Sequence, residues 1–143
     1  MKTFLKTDLT FDEPESKVRK HKVLVIEDDP SIREVLGELF NDAGYASKFL
    51  PETFDIVEEV LAFKPDLVLL DYMLPTINGG ELCSQLKNNL DTSCIPVVIY
   101  SAFSKVLFSL GDYGCDAFVE KPFDVKYLMK VINELASKQP CAA

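Results

Sequence analysis

The chain has 143 residues, of which 48% are hydrophobic, and this length and composition suit one globular domain rather than two. Its net charge of −8 argues against direct binding of nucleic acids, whose phosphates attract clusters of Lys and Arg. The sequence has no apolar run of about 18 residues, the length that predicts a membrane span, and no CxxC pair among its four cysteines. We therefore expect a cytoplasmic protein.

Residues 1–21 mix charged residues with isolated apolar ones and show no sustained period. They predict a flexible extension, and a docking arm is the open alternative. We expect a folded domain over residues 22–137 and a short tail over residues 138–143. The segment "KVLVIEDD", with which the domain starts, is an apolar run that ends in acids and is typical of a buried strand.

From Pro30 onwards, apolar residues recur at helical spacing, and Gly44 is a natural end for this helix. Strands and helices then alternate, with Thr53 as the expected cap of the second helix and Phe54 on its apolar stripe. Predicted strands cover residues 22–29, 46–50, 66–70, 95–102 and 116–120. Predicted helices begin at Pro30, near Thr53, after the Asn78–Gly80 turn, at about Lys105, where a short helix reaches Leu110, and after the capping Asp124.

Strands that are apolar throughout and separated by helices indicate a parallel sheet. Right-handed crossovers place helices on both of its faces, so the predicted fold is an α/β fold with a five-stranded parallel sheet. In sheets of this kind the ligand site lies at the carboxyl ends of the strands. Functional residues are therefore expected where the strands end.

Three acids, one hydroxyl and one ammonium group occupy these strand ends: Glu27, Asp28, Asp71, Ser101 and Lys121. Three carboxylates in one crevice are costly unless a cation lies among them. Oxygen ligands favour Mg²⁺, with Mn²⁺ as an alternative, over zinc, and Mg²⁺ readily takes a phosphate oxygen. We therefore expect phosphoryl chemistry, with Asp71 as a carboxylate nucleophile and with Lys121 and Ser101 as partners for phosphoryl oxygens.

Each of these residues, taken alone, has a simpler structural explanation. Asp28 can cap the helix that follows it, and for the neighbouring Asp29 capping is the main interpretation. Asp71 and Ser101 can be turn residues at strand ends, and Lys121 can be a surface lysine. Their joint occurrence at the same end of successive strands favours the functional interpretation.

Four segments in order carry a family resemblance: "VLVIEDDPSIR", "LVLLDYMLPTINGGEL", "PVVIYSA" and "AFVEKPF". Together they resemble the motifs of response-regulator receiver domains of the chemotaxis-regulator type, over about residues 22–137. The resemblance implies a flavodoxin-like (βα)5 fold in which Asp71 is the phosphoacceptor. It also implies that Asp28 binds Mg²⁺ directly, Glu27 through metal-bound water, and Met73 through its backbone carbonyl.

The resemblance further implies a conformational switch. Ser101 fills the hydroxyl position and Phe118 the aromatic position that is buried or exposed according to phosphorylation, while Lys121 precedes a peptide bond to Pro122 that is usually cis. The phosphoryl donor would be a phosphohistidine on a histidine kinase or a phosphotransfer protein. The chain would catalyse its own phosphorylation and dephosphorylation without being a conventional enzyme. Phosphorylation would change the surface formed by its fourth helix, fifth strand and fifth helix, which a downstream effector protein would bind.

The sequence departs from the family pattern between Ser101 and Lys121, where a short interval implies that the fourth helix or its preceding loop is trimmed. Met73 and Phe103 are apolar at positions that tune phosphate lifetime in the family, so we expect slow autodephosphorylation. The trimmed segment has more apolar residues than one core stripe needs, and contact with a partner or within a homodimer would account for the excess. No output domain follows Leu135, which predicts either a stand-alone receiver or part of a longer protein.

Two other functions are alternatives. A module of receiver fold that binds partners without being phosphorylated is disfavoured, because all five strand-end residues are intact. A Mg²⁺-dependent phosphohydrolase is less favoured still. Met73 occupies the position two residues after Asp71, where such enzymes place their second acid.

Overall fold

The computed structural model describes residues 20–102 and 114–138, in which strands and helices alternate. The strands are β1 (Lys22–Ile26), β2 (Ala46–Leu50), β3 (Leu67–Asp71), β4 (Val97–Ser101) and β5 (Ala117–Glu120). The helices are α1 (Pro30–Asp42), α2 (Ile56–Phe63), α3 (Gly79–Lys87) and α4 (Val125–Ala136). Four predictions fall outside the described residues: the short helix from about residue 105 to 110, Phe103, and most of the extension and tail.

The strands form one parallel sheet in the order β2-β1-β3-β4-β5. This order confirms the predicted five-stranded parallel sheet. The chain moves to one side after β1 and to the other after β3, so the sheet has its topological switch point between these two strands. Ligand sites of open α/β sheets lie at the carboxyl ends of the strands that flank such a point.

Side chains of each strand alternate between the two faces of the sheet and divide the core into two clusters. The cluster shared with α1 and α4 includes Val25, Leu69, Tyr100, Phe40 and Ile132. The cluster shared with α2 and α3 includes Ile26, Leu70, Ile99, Val60 and Leu82. Because helices cover both faces, β1, β3 and β4 are buried along almost their whole length and hold their carboxyl ends rigidly.

Polar side chains fix the starts of three helices. Asp29, Asn78 and Asp124 each accept a hydrogen bond of 2.8 Å from a backbone amide of the first helical turn, which satisfies donors that a helix leaves open. Capping by Asp29 and by Asp124 is as predicted. After α1 the chain turns at Gly44 with a φ of 82°, a left-handed conformation that favours glycine. None of the four described helices is long and apolar enough to cross a membrane.

The start of α2 differs from the prediction. The cap is Asp55, whose carboxylate accepts the Glu58 amide at 3.0 Å, whereas the Thr53 hydroxyl accepts the Asp55 amide at 3.2 Å. A charged oxygen is the stronger acceptor for a terminal amide, so the carboxylate takes the capping position. Phe54 consequently lies before the helix and is 73% exposed, and its assignment to the apolar stripe was wrong.

Several element boundaries also differ from the predicted ones. β1 ends at Ile26, so the acids that follow it lie beyond the strand rather than within it. β3 continues through Asp71, because this residue pairs with Tyr100 of β4. The Gly79–Gly80 pair, predicted to precede α3, forms its first turn.

Candidate functional site

Three carboxylates converge where β1 and β3 end. Glu27 and Asp28 directly follow β1, and Asp71 is the last residue of β3. One oxygen atom from each of the three lies within 4.8 Å of the others. Glu27 and Asp71 are buried, with exposed fractions of 0% and 4%, whereas Asp28 is exposed. The acids that the sequence predicted as a cluster therefore meet, and one of them faces solvent.

Lys121 brings a positive charge to the same place. Its Nζ lies 3.2 Å from Oδ1 of Asp71 and 3.5 Å from Oε1 of Glu27. The backbone amide of Lys121 donates to the carbonyl of Ser101 at 2.9 Å, and the peptide bond to Pro122 is cis, as predicted. One ammonium group thus contacts two of the three carboxylates, which leaves an excess of negative charge at the cluster.

The ionisation of Asp71 reflects this excess. Burial, and after it the charge of Glu27, raises the pKa of Asp71 from 3.8 to about 6, against the opposing effect of Lys121. A raised carboxyl pKa means that the surroundings disfavour the charged form. Lys121 alone therefore does not compensate the charge of Asp71, and a further cation at the cluster would favour the carboxylate that can act as a nucleophile.

Strand alternation explains why Glu27, Asp71 and Lys121 share one face of the sheet. Each lies two positions after a residue of the cluster that packs against α1 and α4. These preceding residues are Val25, Leu69 and Val119. Each polar group of the site therefore continues a row of apolar side chains on one face of the sheet and lies where that row reaches the carboxyl edge.

Ser101 and Phe118 belong to the opposite face. Ser101 is 1% exposed and ends β4 two residues after Ile99, while Phe118, which pairs with Ile99 in register, is half-buried against the cluster next to α2 and α3. Met73 is 57% exposed in the loop between β3 and α3. The structure thus places Ser101 on the strand beside Asp71, and the switch roles of Ser101 and Phe118 stay predictions.

Tyr100 is the site residue that the sequence analysis missed. It is fully buried, its hydroxyl donates to Oε1 of Glu27, and its ring centre lies 4.5 Å from Nζ of Lys121. Burial, followed by the bond to Glu27, raises the pKa of Tyr100 above its ordinary value of 10.0, so the hydroxyl keeps its proton. The available signal was its position two residues after Val98, since a buried tyrosine needs a partner for its hydroxyl.

Gly79 lets α3 begin directly against the end of β3. Its amide donates to the carbonyl of Tyr72 at 2.9 Å. A Cβ at this position would lie 2.3 Å from the carbonyl oxygen of Asp71 and 3.0 Å from Cα of Tyr72. Both neighbours are backbone atoms, so no side chain is accommodated there, and the backbone around Asp71 depends on this glycine.

The donor set fits a hard divalent cation. Carboxylate oxygens from Glu27, Asp28 and Asp71 are the ligand type that Mg²⁺ and Mn²⁺ prefer, and one ion with few protein ligands keeps several waters. The exposure of Asp28 gives an ion a route from solvent. Beside Lys121 the surface opens into a cavity of about 410 Å³ lined by Ile32, Ala102, Lys121, Pro122 and Phe123.

The chain is an α/β domain with a doubly wound parallel sheet and an acidic site at the carboxyl ends of the strands. Residues 23–133 match the family model described as the response regulator receiver domain, and the chain belongs to this family.

Relatives with assigned roles agree with this family. The response regulator ArlR of Staphylococcus saprophyticus is 32% identical over 121 residues, which make up 83% of this chain and 54% of that protein. The protein RpaA of a Synechocystis species, named a DNA-binding dual master transcriptional regulator, is 29% identical over 116 residues, 80% of this chain and 48% of that protein. The chain thus spans about half the length of these relatives.

Solved structures confirm the fold. The receiver domain of a signal transduction histidine kinase from Syntrophus aciditrophicus superimposes with a TM-score of 0.74 and 26% identity, covering 86% of this chain and 98% of that one. The receiver domain of a sensor histidine kinase from Pseudomonas aeruginosa, which has a magnesium ion coordinated in its active-site cleft, gives a TM-score of 0.76 at 18% identity, covering 84% of this chain and 100% of that one. The chain has the flavodoxin-like receiver fold.

Proposed function

We propose that the chain is a phosphoacceptor of a two-component or phosphorelay system, in which Asp71 takes a phosphoryl group from a phosphohistidine. One observation carries this proposal: a nearly buried aspartate at the end of a core strand lies within 3.2 Å of Lys121 and shares a cluster with two further acids. A carboxylate held beside a fixed ammonium group has the two partners that an in-line phosphoryl transfer needs, a nucleophile and a counter-charge.

The metal ligands in this proposal are Glu27, Asp28, Asp71 and the backbone carbonyl of Met73. Asp28 would bind the ion directly, and Glu27 chiefly through water. Bound Mg²⁺ would neutralise charge on the phosphoryl oxygens and favour ionised Asp71. Two observations support this assignment: the oxygen atoms of the three acids lie within 4.8 Å of one another, and a related receiver fold holds magnesium in its cleft.

The transfer itself uses the chain's own groups. An oxygen of Asp71 attacks the phosphorus, the O–P bond forms while the N–P bond of phosphohistidine breaks, and the imidazole leaves with the electron pair of that bond. Lys121 stays within reach of the phosphoryl oxygens and offsets their charge, because its Nζ already contacts Asp71. The cavity lined by Ile32, Lys121 and Phe123 would receive the donor next to this counter-charge.

Phosphorylation would then change a protein-binding surface. The added charge and acceptor oxygens would attract the hydroxyl of Ser101, on the strand next to Asp71, and Phe118 would follow from its half-buried position. The donor would be a histidine kinase or a histidine phosphotransfer protein in the cytoplasm, and the output would be received by an effector protein. Since the curated relatives are about twice as long, we infer that any contact with DNA is made by an effector rather than by this acidic domain.

Incubation with Mg²⁺ and acetyl phosphate, followed by intact mass spectrometry, tests the proposal. The wild-type chain should gain the mass of one phosphoryl group, and Asp71→Asn should not. Asp55→Asn is the matched control, because asparagine caps a helix as well as aspartate does and Asp55 lies outside the acid cluster. No gain by the wild type with Mg²⁺ present would refute the proposal and favour an interaction module that is never phosphorylated.

A further inference from the structure

Tyr100 contacts both charged partners of Asp71. Its hydroxyl donates to Oε1 of Glu27, and its ring lies 4.5 Å from Nζ of Lys121. In the register of the sheet Tyr100 is directly opposite Asp71 itself. One buried side chain thus reaches across the end of β3 to the acid that follows β1.

The surroundings of Tyr100 leave it little freedom to move. It belongs to β4, which is hydrogen-bonded to a strand on each side, and its side chain is 0% exposed. Its ring packs edge-on against Phe123, with the ring centres 6.0 Å apart and the planes at 78°. A ring fixed in this way holds its hydroxyl oxygen at one position, so the hydroxyl can orient the group to which it donates.

That group is the carboxylate of Glu27, which is fully buried and therefore needs hydrogen-bond donors. The backbone amide of Asp29 donates to Oε2 at 3.0 Å. On Oε1 the partners are Tyr100 and Lys121, and Nζ of Lys121 lies at the long distance of 3.5 Å. Tyr100 therefore shares Oε1 with a lysine that lies at the limit of hydrogen-bond length, and its fixed ring helps to determine where Oε1 lies in the acid cluster.

We propose that Tyr100 is a positioning residue for divalent-cation binding, which acts by holding the Glu27 carboxylate in place through its hydroxyl. The inference builds on the proposed function, because it takes Mg²⁺ as the ion. Hydrogen-bond partners behind metal ligands typically contribute about 10–100-fold to metal affinity. Asp29 and Lys121 still hold Glu27 when the hydroxyl is absent, so we expect a loss at the lower end, about tenfold.

The direct test is Tyr100→Phe, with Mg²⁺ binding measured by isothermal titration calorimetry. This variant keeps the ring beside Lys121 and Phe123 and removes only the hydroxyl. Its Kd for Mg²⁺ should rise about tenfold, while circular dichroism should show an unchanged fold. Tyr45→Phe is the matched control: Tyr45 is also buried and donates to Asn133, but it precedes β2 at the opposite edge of the sheet, and its loss should leave the Kd unchanged.

A second background separates positioning from a general structural effect. In Glu27→Ala the tyrosine hydroxyl has no carboxylate to hold, so adding Tyr100→Phe should not weaken Mg²⁺ binding further. An equal Kd for wild type and Tyr100→Phe would overturn this inference alone, and so would an undiminished tenfold loss in the Glu27→Ala background. A wild-type chain that binds no Mg²⁺ would overturn the proposed function as well.

Discussion

Replacing Gly79 by alanine tests how closely α3 must approach the end of β3. The new Cβ would lie 2.3 Å from the carbonyl oxygen of Asp71, and 3.0 Å from both the carbonyl carbon of Asp71 and Cα of Tyr72. All three are backbone atoms of a strand end between two paired strands, so the contact cannot be relieved by a side-chain rotation. Either α3 or the loop before it has to move.

The expected cost follows from two opposing effects. Overpacking of a rigid site destabilises a protein by about 1–3 kcal/mol, and alanine gains at most about 0.5–1 kcal/mol over glycine in a helix. A contact of 2.3 Å with a backbone oxygen places the cost in the upper part of its range, about 2–3 kcal/mol, so the free energy of unfolding of Gly79→Ala should fall by about 1–2.5 kcal/mol. For a slope of about 1–2 kcal/mol per molar urea, the midpoint should fall by about 1 M.

Gly37→Ala is the matched control within the same chain. Gly37 lies in the middle of α1, and a Cβ there would meet only the ring of Phe49, at the ordinary contact distance of 3.8 Å. This variant should gain about 0.5–1 kcal/mol, because nothing opposes the helix propensity of alanine. Urea unfolding followed by far-ultraviolet circular dichroism suits a chain without tryptophan. A Gly79→Ala variant as stable as the wild type would refute the close approach.

Three further predictions concern charge, phosphate lifetime and a partly buried lysine. Without metal, the free energy of unfolding should fall by about 2 kcal/mol between pH 4 and pH 6, because the raised pKa of Asp71 makes the folded chain hold a proton that the unfolded chain has lost. Urea titrations should show this slope reduced in Asp71→Asn, and equal slopes would contradict the prediction. Met73→Asn should shorten the life of phosphorylated Asp71 several-fold by admitting water, measured by intact mass after the donor is removed, and a wild-type half-life as short as that of chemotaxis regulators would refute the premise. Lys87→Met should lower the free energy of unfolding in urea by about 1–3 kcal/mol, because Nζ donates to the carbonyls of Ser93 and Ile95 and to Asp116. An unchanged urea midpoint would show that these hydrogen bonds contribute little.

The predictable part of the fold is the part determined by local pattern. Apolar runs that end in acids predicted the bounds of β1 and β3 to within a few residues of the observed ones. The alternation of strands with helices predicted the parallel sheet. The acid cluster could be predicted for the same reason, because parallel strands bring their carboxyl ends to one edge of the sheet. Glu27, Asp28 and Asp71 therefore meet as expected, and Lys121 joins them.

The errors arose where two local signals competed or where a contact crosses the sheet. Thr53 and Asp55 are both good caps in sequence, and only the fold shows that the hydroxyl is used to bind the Asp55 amide. The contact between Tyr100 and Glu27 joins residues 73 positions apart and passes over the end of β3. Predicting this contact requires the order of the strands and the face of the sheet on which each side chain lies. Neither can be obtained from the periodicity of one segment.

The charge balance at the end of β3 connects the fold to the proposed chemistry. A strand buried on both faces fixes Asp71 at a place where ionisation is disfavoured, and its pKa of about 6 shows that Lys121 offsets only part of the cost. The Glu27 carboxylate, by contrast, accepts hydrogen bonds from Tyr100 and from the Asp29 amide. A fold adapted only to the metal-free state would place similar donors around Asp71. Because Lys121 compensates only part of the charge of Asp71, and the neighbouring Asp28 is exposed, binding of a cation there would offset the remaining cost of ionising Asp71.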